Sequence, residues 1–247
     1  MYIDVHCHIE TYSDINEVIE RAKIAGVGII INNSVDLKSM KKTLSLTEWY
    51  PEVKAAFGID PIEGLKVDEP EFNEGIEYIR KNKDKIIAMG EIGIDLRWSS
   101  ELETQKRNFL KLVKLSKELN IPIIIHSRKA EKEVIEILEN EKCNKVIMHC
   151  FTGGLTLVDR IIKNGWSISI PTNVVFNSQI QDIVKKAPMT SLLCETDSPY
   201  FHPLREKRNE PCFVIENYKK IAEIKNMELV EVEEAIEENY HKVFGKS

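Results

Sequence analysis

Short runs of apolar, often β-branched residues alternate with longer amphipathic stretches from one end of the chain to the other. Eight strand-like runs start near Tyr2, Val27, Val53, Ile86, Pro122, Val146, Trp166 and Leu192. Several are nearly all apolar, such as Val27-Gly28-Ile29-Ile30-Ile31 and Ile121-Pro122-Ile123-Ile124-Ile125, the pattern of parallel strands covered on both faces. Between them apolar residues recur at helical spacing: Ile15, Val18, Ile19 and Ala22; Phe109, Leu112, Val113 and Leu115; Val134, Ile135 and Leu138. Eight strands separated by helices in about 250 residues is the arithmetic of a TIM (β/α)8 barrel. A doubly wound open sheet would carry a Gly-rich phosphate fingerprint after its first strand, and none follows it here. A loop at 202–211 and two closing helices at 212–225 and 228–243 complete the pattern, the second helix presenting an acidic, solvated face. No repeat or linker divides the chain, so residues 1–247 are expected to form one domain.

Composition narrows the class. With 43% hydrophobic and 30% charged residues, apolar runs are spread throughout, which excludes a disordered chain. No apolar run approaches the roughly 20 residues that span a bilayer. The start, Met1-Tyr2-Ile3-Asp4-Val5, has neither a basic lead nor a signal core, and the five cysteines show no CxxC pair. A cytoplasmic protein with free thiols is expected, Cys150 and Cys194 being small buried hydrophobes. The net charge of −6 (34 minus 40) does not attract polyanions, so nucleic acid could be held only through a local patch.

The chemistry lies in where the ligand-type residues fall. His6 and His8 close the first strand-like run, Glu91 the fourth, His126 the fifth, His149 the sixth and Asp197 the eighth. In a parallel barrel these ends converge on one mouth, where active sites of that architecture lie. His6 and His8, two apart on extended backbone, point to the same side and can grip one ion. Six nitrogen and oxygen donors are too many for one tetrahedral ion and suit two, with Glu91 the natural bridge. Two divalent cations bring +4 against −2 from Glu91 and Asp197, leaving about +2 to hold a hydroxide and an anionic substrate. Asp197 is expected to act twice, as ligand and as acceptor of the water's proton; Glu195, two residues earlier, should support a ligand instead of being one. Tyr200 and Phe201 are expected to pack, and His202 and His241 to stand outside the site.

His6-Cys7-His8, Gly90-Glu91-Ile92-Gly93-Ile94-Asp95, Ile125-His126-Ser127-Arg128, His149-Cys150-Phe151 and Glu195-Thr196-Asp197-Ser198-Pro199-Tyr200 resemble the motif set of TatD-like metal-dependent hydrolases, a branch of the amidohydrolase superfamily. Gln105 with Phe109, and Arg208-Asn209-Glu210-Pro211, are smaller echoes. The resemblance implies a TIM barrel with two metals: His6, His8, Glu91 and Asp197 around the first, and Glu91, His126 and His149 around the second. It implies Mg or another divalent cation as cofactor, DNA or another phosphoester as substrate, and 3′ to 5′ exonuclease action; the His-rich ligation by itself suits Zn or Mn, and no membrane or obligate protein partner is expected. One departure stands out. Where the family usually carries a His-containing GxHPH-like segment, this chain reads Gly58-Ile59-Asp60-Pro61-Ile62. Asp60 would repel a phosphate unless it meets a cation, or it serves only as a turn. Arg128, expected to start the helix after the fifth strand, and Arg208 are the candidate phosphate contacts, while Arg205 and Lys207 are read as surface ion pairs. The loss of both loop histidines keeps open a metal-dependent deacylase or esterase acting on a small metabolite or aminoacyl ester. A non-catalytic binding protein on the same barrel is the remaining alternative.

Overall fold

A computed structural model describes residues 1–205 and 207–245. Eight strands run parallel: β1 (Tyr2–Cys7), β2 (Val27–Asn33), β3 (Val53–Ala56), β4 (Met89–Asp95), β5 (Ile123–Arg128), β6 (Val146–Met148), β7 (Ser167–Ile170) and β8 (Leu192–Cys194). They pair in chain order, β1 to β3 as one sheet and β4 to β8 as another. Single parallel bridges, Ala56 to Ala88 and Cys7 to Ser198, join the two sheets at both seams. The result is the (β/α)8 barrel.

Seven helices return the chain between strands: α1 (Ile15–Ile24), α2 (Leu37–Trp49), α3 (Glu69–Lys81), α4 (Leu102–Leu119), α5 (Glu131–Asn140), α6 (Leu155–Lys163) and α7 (Ser178–Lys186). After β8 come α8 (Ile215–Lys225) and α9 (Leu229–Phe244), which pack on each other. Asp36 and Asp68 each cap a helix with a side chain that accepts from the backbone N–H three residues on, fixing where α2 and α3 begin. Strands such as β4, buried at every position, explain the continuous apolar runs in the sequence, because helices cover one face and the barrel interior the other. No described helix is long and apolar enough to cross a membrane.

Two local expectations shift. β4 begins at Met89, three residues after the apolar run at Ile86, because a 3₁₀ turn at Lys83–Lys85 leads into it. Glu91 is therefore the third residue of its strand, which continues to Asp95 in register with Arg128. Arg128 ends β5 instead of starting a helix: Lys129 takes a left-handed conformation (φ 60°) and α5 starts only at Glu131.

Candidate metal centre

β1 carries its two histidines to the mouth, and local hydrogen bonds aim them. His8 Nδ1 lies 2.8 Å from the carbonyl of Asn33, to which it donates, and this turns Nε2 inward. The two Nε2 atoms of His6 and His8 stand 3.3 Å apart. Asp197 Oδ1 lies 3.5 Å from each, and Glu91 Oε2 lies 3.6 and 3.5 Å from them. Donors about 2.1 Å from a tetrahedral ion lie roughly 3.4 Å from one another. Five of the six edges of such a tetrahedron are thus present within a few tenths of an ångström, and the donor chemistry fits a divalent cation.

The second oxygen of Glu91 belongs to a neighbouring group. Its Oε1 lies 2.6 Å from His126 Nδ1 and 3.5 Å from His149 Nε2, and these three residues could hold another ion. Each of these imidazoles has a carboxylate behind it: His126 Nε2 to Asp95 Oδ2 at 3.0 Å, and His149 Nδ1 to Glu195 at 3.1 Å. Such partners fix the tautomer and the ring plane of a ligating histidine. His6, His149 and Glu195 also lie close enough to share an ion. Glu195, however, already accepts from His149, the Cys150 N–H at 2.8 Å and Ser169 Oγ at 2.5 Å, which makes it a support.

Electrostatics follow this pairing. Burial works to raise the Glu91 carboxyl, but His126, His6 and His149 outweigh it and hold the group well below the usual carboxylate range. Asp197 is lowered in the same way, against burial, by His149, His8 and His6. Burial opposes charge on His8, yet Asp197 and Glu91 carry its pKa up to about 10. Partial burial, with Glu91 nearby, pushes Asp60 up to about 6.

Glycine lets the strands approach closely enough to assemble the centre. A Cβ on Gly93 (φ 157°) would sit 1.8 Å from the carbonyl oxygen of His126, and one on Gly58 would sit 2.3 Å from that of Glu91. Asp197 itself lies in the left-handed region (φ 50°), a conformation costly for a non-glycine residue and concentrated at functional sites.

All six expected ligand residues meet here. Asp60 and Arg128 line the same cavity of about 940 Å3, together with Arg205 and Lys207. Asp60 is also a turn residue, its Oδ1 accepting from the N–H groups of Ile62 and Glu63. Arg208 is not brought to the cavity: it forks onto Asp14 at 2.8 Å through two nitrogens and covers the Tyr12 ring. Tyr200 and Phe201 do not pack away but line the cavity, Tyr200 being 61% exposed. His202 is buried against Phe213 and lines it too. Asp95, behind His126, is a site residue that the apolar-run pattern does not single out. The signal was available, since Glu91, Gly93 and Asp95 alternate onto one face of an extended strand.

The TatD related DNase family matches residues 3–245. An uncharacterized metal-dependent hydrolase of Bacillus subtilis, YabD, is 36% identical, the alignment covering 99% of both chains. The human deoxyribonuclease TATDN3 is 30% identical over 99% of this chain and 94% of its own. Among solved structures, the Escherichia coli TatD homologue YjjV superposes with a TM-score of 0.93 at 26% identity, covering 100% of this chain and 98% of its own.

Proposed function

The chain belongs to the TatD-related DNase family and is a metal-dependent hydrolase, and from that premise we propose that it holds two divalent cations and cleaves phosphodiester bonds in DNA from the 3′ end. The observation that carries this reading is the near-tetrahedral spacing of His6, His8, Glu91 and Asp197, with Glu91 shared by His126 and His149. His6, His8, Glu91 and Asp197 hold one ion; Glu91, His126 and His149 hold the other. Zn or Mn suits this imidazole-rich set, and Mg its carboxylates. Bound there, the cations supply Lewis acidity, bringing the pKa of a water towards neutrality and offsetting phosphate charge.

The chain's own residues do the rest. Asp95 and Glu195 hold the rings of His126 and His149 in place. Asp197 accepts a proton from the attacking water through the carboxylate oxygen not turned towards His6 and His8. The water oxygen forms a bond to phosphorus while the P–O3′ bond breaks. Its electron pair leaves with O3′, to which the proton is returned. Arg128, Arg205 and Lys207 give this acidic protein the cationic patch a polyanion requires. Asp60, pushed up to about 6, is still mostly ionised near neutrality, so the cations and Arg128 must offset its charge where a phosphate approaches.

A second reading, hydrolysis of an aminoacyl or small-metabolite ester, is favoured by one observation: Glu10, Asp60 and Glu63 give the cavity an acidic flank that suits an ammonium group. One assay separates the readings. The purified protein is incubated with 3′-labelled single-stranded DNA, and separately with aminoacyl esters, with Mn²⁺ or with excess chelator. Label is expected to be released only with metal, and Asp197→Asn to lower kcat about 10³-fold or more while metal content is retained. Release in chelator, or hydrolysis of the esters alone, overturns the nuclease reading.

A further inference from the structure

Asp4 lies two residues before His6, on the face of β1 that carries both histidines, and so stands one layer deeper in the barrel. It is completely buried, as are Thr196, Ser198 and Asn209. Branched apolar side chains fill barrel interiors, and a carboxylate taken out of water is costly unless donors surround its oxygens. Among the described residues its donors are backbone N–H groups and one hydroxyl, with no lysine or arginine. A charge-bearing group in such a place calls for a reason beyond packing.

The reason lies across the seam. Asp4 Oδ1 accepts from the Thr196 N–H at 2.9 Å, and Oδ2 from the Thr196 hydroxyl at 2.6 Å. The oxygen of that hydroxyl accepts in turn from the Ser198 N–H at 3.2 Å. On the other side the Thr196 carbonyl accepts from Asn209 Nδ2 at 2.9 Å, and the same amide donates to Thr172 Oγ1 at 2.8 Å. Every polar group of Thr196 is thus engaged, by β1 and by the Arg208-Asn209-Glu210-Pro211 segment. Asp4 Oδ1 also accepts from the His6 N–H at 3.3 Å, so one carboxylate touches the chain on both sides of the seam.

Thr196 directly precedes Asp197, whose backbone is left-handed (φ 50°). Such a conformation persists in a non-glycine residue only where the surroundings over-determine it. With Thr196 held at three polar groups and Ser198 at its N–H, the backbone is clamped on both sides of Asp197. A relaxed φ would swing its carboxylate away from the position 3.5 Å from each histidine Nε2. Closing the barrel does not require the clamp, because the Cys7 to Ser198 bridge and the backbone hydrogen bonds beside it already join first strand to last.

We propose that Asp4, Thr196 and Asn209 are positioning residues, which touch neither cation nor substrate but hold Asp197 in its left-handed backbone so that its carboxylate meets the cation shared with His6 and His8. The inference rests on the two-cation reading and adds to it the device that places the aspartate.

The test compares Thr196→Val, which keeps the side chain's shape without its hydroxyl, with Thr196→Ser, which keeps the hydroxyl. Mn²⁺ binding to the full chain is followed by calorimetry, and turnover on bis(p-nitrophenyl) phosphate. Thr196→Val should weaken Mn²⁺ affinity about ten-fold and lower kcat at saturating metal by about as much, with KM nearly unchanged; Thr196→Ser should recover most of both. In an Asp197→Asn background, Thr196→Val should weaken affinity by less than about two-fold more, because a residue acting through Asp197 has nothing left to place. Asp4→Asn, which turns an amide towards the Thr196 hydroxyl, should lower affinity in the same way and decides the matter if Thr196→Val does not fold. A lower melting temperature in chelator with affinity and kcat unmoved, or losses that multiply in the double variant, would make the clamp a structural tie and overturn the proposal. If wild-type protein neither binds Mn²⁺ nor cleaves the ester, the two-cation nuclease reading fails instead. Amide hydrogen exchange in chelator then decides the clamp: exchange at Asp197 and Ser198 about ten-fold faster in Thr196→Val than in Thr196→Ser supports it, and equal rates overturn it.

Discussion

At the scale of single residues the centre is a competition between protons and cations for the same lone pairs. With its pKa carried up to about 10 by Asp197 and Glu91, His8 must lose a proton before it can ligate. Because the folded-state value lies above the ordinary one, the proton is held throughout the physiological range and released only as pH rises through about 10. Apparent metal affinity should therefore climb steadily between pH 6 and about 10, with protons released on loading; calorimetry in buffers of different ionisation enthalpy measures both. A flat affinity across that range would show that His8 is not a ligand. The six candidate ligand positions, which the fold brings together, were legible because each ends or follows an apolar run. Asp95 was not, since a carboxylate closing a strand looks like any other turn residue until His126 is seen against it. Arg208 misled for the opposite reason: its place in a motif gave no hint that Asp14 and Glu210 would engage it.

Among elements, β4 bears the tightest constraints. Its close approach to β5 and to the chain after β3 depends on residues without a Cβ, and Gly93 is the most confined. Gly93→Ala would drive a methyl group into the His126 carbonyl and impose a positive φ on alanine. A loss of about 3 kcal/mol or more is expected, read as a shift of the urea midpoint, together with weaker metal binding as Glu91 and His126 move apart. A variant of unchanged midpoint would show that the two strands can part without strain. Strand starts such as Val27, Val53, Val146 and Leu192 were readable because parallel strands buried on both faces are plain apolar runs. The start of β4 and the end of β5 were not. A 3₁₀ turn and a left-handed lysine set them, and neither leaves a periodic trace.

For the molecule as a whole, a cation bound only by the folded chain stabilises it. Saturating Mn²⁺ at about 100 times its Kd contributes roughly 2.7 kcal/mol. For a chain of this length that corresponds to about 5–10 °C in Tm. Differential scanning should show this rise in wild-type protein and lose most of it in His6→Ala/His8→Ala; an equal shift in the double variant would place the ion elsewhere.

The barrel closes where Cys7 bridges Ser198, the His8 N–H reaches the Ser198 carbonyl at 2.8 Å and the Asp197 N–H reaches that of His6 at 2.9 Å. The seam between the first strand and the last is thus also the place where His6 and His8 meet their aspartate. A chain still emerging from the ribosome owns the histidines but not yet Asp197. The candidate centre is therefore assembled only after the last strand has docked against the first, so closure of the barrel and completion of the site are one event.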